Sequence, residues 1–168
     1  LVSEHYTSPG KIVLSGASAG GLLVGAALNQ ETELWGAAVA DVPFVDVLHT
    51  LLDDTLPLTP GEWAQWGNPL VDRQAFEDIR QYCPYLNVQP RAYPPMLVTA
   101  GISDSRVTYW EPAKWVAKHR QLRSDSAELL LKTNMHGGHF GEAGRYASLA
   151  ETALEQAFAL KVMGLAAN

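Results

Sequence analysis

Residues 11–29 read KIVLSGASAGGLLVGAALN: an apolar run, a turn of small residues, then a segment rich in Ala, Leu and Gly. The run from Lys11 to Ser15 is short and continuous, the pattern of a strand covered on both faces. Gly16-Ala17-Ser18-Ala19-Gly20-Gly21 then matches Gly-x-Ser-x-Gly, a strand-to-helix turn so sharp that larger flanking residues would collide. Such a turn lifts the Ser18 hydroxyl clear of the backbone. The helix that follows aims its N-terminal amides at the same spot, so the N–H of Ala19 can donate to an oxyanion formed there. Five residues of this kind in a Gly- and Ala-rich chain can also be a plain structural turn, but the strand-turn-helix context favours the nucleophile. A dinucleotide-binding turn needs Gly where Ser18 stands.

Three further apolar runs repeat the first: Gly36 to Val42, Met96 to Gly101 and Leu129 to Asn134. Helical patterns lie between and after them, at Ala19 to Asn29, Pro43 to Leu52 and Thr108 to Leu122. A last helix, ending near Gly164, places Tyr146, Leu149, Ala153, Leu154, Ala157 and Leu160 on one side. Strands alternating with helices predict a parallel α/β sheet in a single domain over residues 1–168. Leu56 to Pro95 breaks the rhythm with its prolines and glycines, and reads as an excursion at the sheet edge with one short helix near Arg73 to Gln81. Excursions of this length are more often functional than idle.

The chain of 168 residues is 47% hydrophobic and holds one Cys, which allows a substantial core and excludes a disordered tail or a disulfide-stapled miniprotein. No uniformly apolar stretch is long enough to span a membrane, and no secretory leader is visible. The sequence lacks an initiator Met, so a start inside a longer chain is expected. Cytoplasmic location is the expectation; a lone Cys83 neither needs nor reports an oxidising compartment. The net charge of −6 and the absence of a basic stripe argue against nucleic-acid binding. The acidity is regional: Ile12 to Asp72 contains no Lys or Arg but eight acids, Glu62 among them. A solvated acidic face is the plainer reading, and a field favouring a cationic ligand is the functional one.

A serine hydroxyl needs a base to take its proton and a third group to orient that base, in the chain order Ser, acid, His for this kind of turn. Asp104 follows the strand MLVTAG, and His139 follows LLLKTN in a loop with Gly137, Gly138 and Gly141. Three correct residue types in the correct order, each just past a predicted strand, are hard to assemble by accident. His136 lies nearer the strand end and reads as a rim residue; His5, His49 and His119 read as structural or solvent-facing. No metal is expected, since neither the lone Cys nor the two loop histidines has a third ligand at recognisable spacing. Cys83 reads as a packed small residue, and of the tryptophans Trp63, beside Glu62, is the first candidate for a pocket wall.

Four stretches carry a family resemblance: GASAGGLLVGAALNQ (16–30), VADVPFVDVLHTLLDDTLPLTPGEWAQWGNP (39–69), YPPMLVTAGISDSRVTYWEPAKWVAKHRQL (93–122) and LLLKTNMHGGHF (129–140). Together they resemble the catalytic domain of the prolyl oligopeptidase family of serine peptidases, and within it the oligopeptidase B branch, which cleaves after Arg and Lys. The resemblance covers nearly the whole chain. It implies the C-terminal half of an α/β-hydrolase sheet flanked by helices, with the first strands and a β-propeller lying outside this sequence. It implies Ser18 as nucleophile, Asp104 as acid and His139 as base. Arg106 matches an arginine that grips a substrate carbonyl, and Glu62 a carboxylate that reads the basic side chain before the cleaved bond. Ala64 stands where that branch has a second acid. No cofactor is implied.

The expected activity is therefore hydrolysis of short peptides after Arg or Lys. One alternative is another peptidase or esterase of the same fold, of acylaminoacyl or dipeptidyl peptidase type. The other is a non-catalytic segment acting only in association. The expected partners are a peptide and either the preceding part of the same enzyme, which the resemblance implies would also carry a second oxyanion donor, or a second copy; either would cover a half sheet.

Overall fold

The computed structural model describes residues 1–144 and 146–165, and its centre is a sheet of four parallel strands in the order β1-β2-β3-β4. These are β1 (Ile12–Ala17), β2 (Trp35–Asp41), β3 (Met96–Gly101) and β4 (Leu129–Asn134). The helices are α1 (Ala19–Gln30), α2 (Val47–Leu51), α3 (Thr59–Trp66), α4 (Arg73–Tyr82), α5 (Trp110–Leu122) and α6 (Ala147–Val162). A parallel pair cannot be joined by a tight hairpin, so each strand is followed by a crossover that lays helices on the sheet.

Alternation along the central strands sorts the core into two faces. Ala38 and Ala40 of β2 with Met96 and Val98 of β3 face Val24 and Leu28 of α1 and Trp115 and Val116 of α5. Ala37, Val39 and Leu97 point the other way, against Phe158 of α6. β2 and β3 are buried on both faces, which is why their sequences are unbroken apolar runs. β1 and β4 lie at the two edges of the order and are only partly buried. The expected three-layer α/β architecture is thus present, in agreement with an α/β-hydrolase sheet.

Three details differ from the sequence reading, the first being that the helix expected over Pro43 to Leu52 is confined to α2, Val47–Leu51. The excursion holds two helices, not one: α3 begins at Thr59 with Pro60 in its first turn, where a missing N–H costs nothing. Together α2, α3 and α4 enclose a side core of Phe44, Leu48, Leu51, Ile79 and Cys83, with Trp63 and Trp66 packed against it. α6 presents a stripe that shares only Leu154 with the one expected. Leu154, Phe158 and Val162 pack on the sheet, whereas Tyr146, Leu149 and Leu160 are exposed.

Among the described residues no helix is long and apolar enough to cross a membrane.

Candidate active site

The turn after β1 places Ser18 at φ 55°, ψ −120°, a left-handed strained backbone for a residue with a side chain. Four backbone hydrogen bonds hold it there. Ser18 N–H donates to the Asp41 carbonyl at 2.9 Å, and the Ser18 carbonyl accepts from the N–H groups of Gly21 and Phe44 at 2.9 Å each and of Leu22 at 3.2 Å. The end of β2 therefore clamps the turn. The glycine requirement falls on two positions: a Cβ on Gly16 would stand 2.5 Å from the Gly20 carbonyl oxygen, and one on Gly21 would run into Pro43. Gly20 faces open space, so the crowding expected around the serine does not include it.

Asp104 and His139 come from the loops after β3 and β4 and meet beyond the sheet. His139 Nδ1 lies 2.8 Å from Asp104 Oδ2. The other carboxylate oxygen accepts the N–H groups of Arg106 at 2.8 Å and Val107 at 2.9 Å. The Asp104 side chain is fully enclosed and the His139 side chain is 9% exposed. A carboxylate held this way can fix an imidazole in one orientation and tautomer. Ser18 and His139 share the lining of one groove, without a direct hydrogen bond between them among the described residues. His136 is exposed, with its N–H on Asn134 Oδ1, and stays at the rim as expected.

On the other side of Ser18 lies a pocket of about 170 Å³ whose walls include Thr50, Glu62, Trp66, Arg106 and Thr108. Glu62 thus faces the same space as Ser18. Trp66 Nε1 donates to Glu62 Oε2 at 2.7 Å, while Trp63, the tryptophan singled out from sequence, donates to the Leu51 carbonyl and packs in the side core. Trp66 stands four residues after Glu62, a spacing that puts the two on one helix face, but the signal is readable only once α3 is known to be a helix. Gln65, not Ala64, joins the wall. The Arg106 guanidinium stands 5.2 Å over the ring of Phe140, the residue after His139.

Four of the eight acids from Ile12 to Asp72 have separate structural duties. Asp46 is buried and paired with Lys114 and His49, Asp72 caps α4, Asp53 caps a turn, and Asp41 accepts from Thr99. Of the eight acids, Glu62 lines the pocket beside Ser18. Behind that pocket Glu111 is wholly buried, accepting from Thr50 Oγ1 at 2.6 Å and from the Asp46 N–H at 3.0 Å. Burial pushes its carboxyl up to about 7. Nothing local marks Glu111 in the sequence, because an acid in a helix first turn is ordinarily explained by the helix dipole. No His, Cys, Asp and Glu group able to hold a metal ion occurs among the described residues, and Cys83 is buried with its thiol pushed up by burial.

A parallel sheet with a serine at the turn after one strand, an acid after the next but one and a histidine after the last defines an α/β-hydrolase arrangement. Within that class the chain belongs to the prolyl oligopeptidase family, whose model matches residues 1–166. It is 48% identical over its whole length to Protease 2 of Moraxella lacunata, covering 24% of that protein. It is 44% identical to dipeptidyl aminopeptidase BI of Pseudoxanthomonas mexicana, again over its whole length and covering 23% of that protein. The solved oligopeptidase B of Trypanosoma brucei, with covalently bound antipain, superposes with a TM-score of 0.96 at 47% identity over 99% of this chain and 23% of that one. The chain spans about a quarter of the length of the relatives it matches.

Proposed function

We propose that this chain carries the catalytic centre of a serine peptidase that hydrolyses short peptides after Arg or Lys. The observation that carries the reading is the His139–Asp104 contact of 2.8 Å in a groove that also contains the strained Ser18 turn. In this reading His139 removes the Ser18 proton as Oγ attacks the scissile carbonyl. The imidazolium, held by Asp104, then returns the proton to the leaving amine. Water repeats the sequence on the acyl-enzyme. The Ala19 N–H donates to the developing oxyanion, and the Arg106 guanidinium donates to a substrate backbone carbonyl. No cofactor enters any step. The covalently bound antipain of the oligopeptidase B relative supports a covalent nucleophile in that enzyme, and Ser18 is the residue of this chain proposed for that role.

Specificity is assigned to Glu62, whose carboxylate can engage a guanidinium or ammonium entering the pocket beside Ser18. Exchanging Glu62 for Gln tests this: cleavage of an Arg amide weakens far more than hydrolysis of a neutral acyl ester. Equal losses would remove Glu62 from the specificity role.

A second reading rests on the 44% identity to a dipeptidyl aminopeptidase. It keeps the same three residues and changes what is released. Product analysis separates the two: dipeptides released one after another from a free N-terminus favour the exopeptidase, and internal cleavage after Arg in an N-blocked peptide favours the endopeptidase.

A further inference from the structure

We propose that Glu111 is a positioning residue for the pocket beside Ser18: through Thr50 it sets where the helix carrying Glu62 stands. The inference rests on the reading that Glu62 receives a basic side chain.

α3, which carries Glu62, is fastened to α2. Thr59 Oγ1 donates to the Thr50 carbonyl at 2.9 Å, and Trp63 Nε1 donates to the Leu51 carbonyl at 3.0 Å. α2 has only five residues and cannot hold a position by itself. Its two ends are tied to α5 by one carboxylate: Thr50 Oγ1 donates to Glu111 Oε1 at 2.6 Å, and the N–H of Asp46, the residue before α2, donates to Oε2 at 3.0 Å. α5 in turn is seated on the sheet by Trp115 and Val116. The chain of support therefore runs from the sheet through Glu111 and Thr50 to the Glu62 helix, and both Thr50 and Thr59 also line the pocket.

Neither the helix dipole nor a neighbouring cation accounts for a carboxylate at this place. A first-turn acid can serve the dipole from an exposed position, and burial of a carboxylate is costly unless its oxygens are well used. Nor is Glu111 the acid that holds Lys114, whose ammonium is paired with Asp46. What the buried carboxylate does hold is the pair of donors on α2. Removing it leaves the Asp46 N–H and the Thr50 hydroxyl without their partner, and the side-chain tie to α5 is then kept only at the start of α2, where Asp46 pairs with Lys114, and lost at the Thr50 end next to α3.

The test compares kcat/KM for an Arg amide and for a neutral acyl ester in the purified protein and its variants. For Glu111→Ala the Arg-to-neutral ratio is expected to fall about tenfold, with the loss in KM for the Arg substrate. Glu111→Gln restores the ratio to within about threefold, because the amide oxygen can take the place of Oε2 in accepting from the Asp46 N–H while the amide nitrogen donates to the Thr50 hydroxyl oxygen. Thr50→Val, which removes only the hydroxyl, lowers the ratio in the same direction and decides the matter if Glu111→Ala does not fold. An unchanged ratio in the folded variants, equal losses on both substrates, or no rescue by Gln overturns the proposal. Glu62→Gln runs in parallel. If it leaves the ratio unchanged, the basic-side-chain reading fails; if it lowers the ratio while Glu111→Ala and Thr50→Val do not, only the role of Glu111 fails.

Discussion

His139 Nδ1 and Asp104 Oδ2 stand 2.8 Å apart, although the two residues lie 35 positions apart in the chain and on different loops. The carboxylate is itself held by two backbone N–H groups, so the imidazole is oriented by an anchored partner and not by a mobile one. Asp104→Asn keeps the shape and the oxygen that accepts from Arg106 and Val107, but turns the donor amide toward Nδ1. We predict that kcat for peptide hydrolysis falls about 10³–10⁴-fold while the thermal midpoint shifts little. Steady-state kinetics and a melting curve on the same preparation check both halves.

Trp66 donates to Glu62 Oε2, and the bond fixes one oxygen of the carboxylate in the pocket. Trp66→Phe keeps an aromatic ring and deletes the donor. KM for Arg substrates should rise about tenfold or more, with a smaller change for neutral esters, since a hydrogen bond to a charged group contributes about 1.5 kcal/mol or more. Equal changes for both substrate classes would remove Trp66 from the recognition of charge.

His119 is fully buried between Tyr93 and Trp115, with both ring nitrogens unpartnered among the described residues. Burial lowers its pKa from 6.5 to about 3. The folded state therefore binds this proton less readily than the unfolded chain. The stability tied to the neutral ring is fully present above pH 6.5 and is lost as pH falls from there toward 3, at up to about 1.4 kcal/mol per pH unit. His119→Leu should raise stability at pH 7 by roughly 1 kcal/mol and flatten this acid limb. Denaturant midpoints measured between pH 4 and 7 read both effects, and parallel curves for the two proteins would contradict them.

Glu111 gives the opposite sign. Its carboxyl is pushed from 4.5 up to about 7, so between those values the folded state holds a proton that the unfolded chain has released. Its contribution is full below pH 4.5 and is lost as pH rises through about 7. Compared with the wild type, Glu111→Gln should therefore gain in relative stability as pH is raised from 4.5 to 7. The same denaturant series tests this, and a pH-independent difference would show that the carboxyl is not perturbed in the folded protein.

What can be read from the sequence follows from chain continuity. β3 and β4 run over the residues expected: β3 is buried on both faces and so is an uninterrupted apolar run, and β4, though a partly buried edge strand, opens with the apolar run Leu129-Leu130-Leu131. Ser18, Asp104 and His139 are legible for the same reason, each lying just beyond such a strand. The pocket is less so. α3 is hidden by Pro60 and Gly61, which read as breaks but occupy a helix's first turn, and with the helix goes the pairing of Trp66 with Glu62. Glu111 is invisible because its partners, Asp46 and Thr50, lie more than sixty residues away and no local pattern reports them. The stripe on α6 shares only Leu154 with the expected one, because several apolar stripes are compatible with a helix rich in Ala and Leu. The side that meets the sheet is the one bearing Phe158.

Every role proposed for the site depends on Ser18 being the nucleophile, which covalent labelling reads without a substrate. A fluorophosphonate probe applied to the purified protein, followed by peptide mapping, should give one stoichiometric adduct on Ser18 that disappears in Ser18→Ala and slows sharply in His139→Ala. An adduct on another residue, or labelling that survives Ser18→Ala, would show that the nucleophile lies elsewhere.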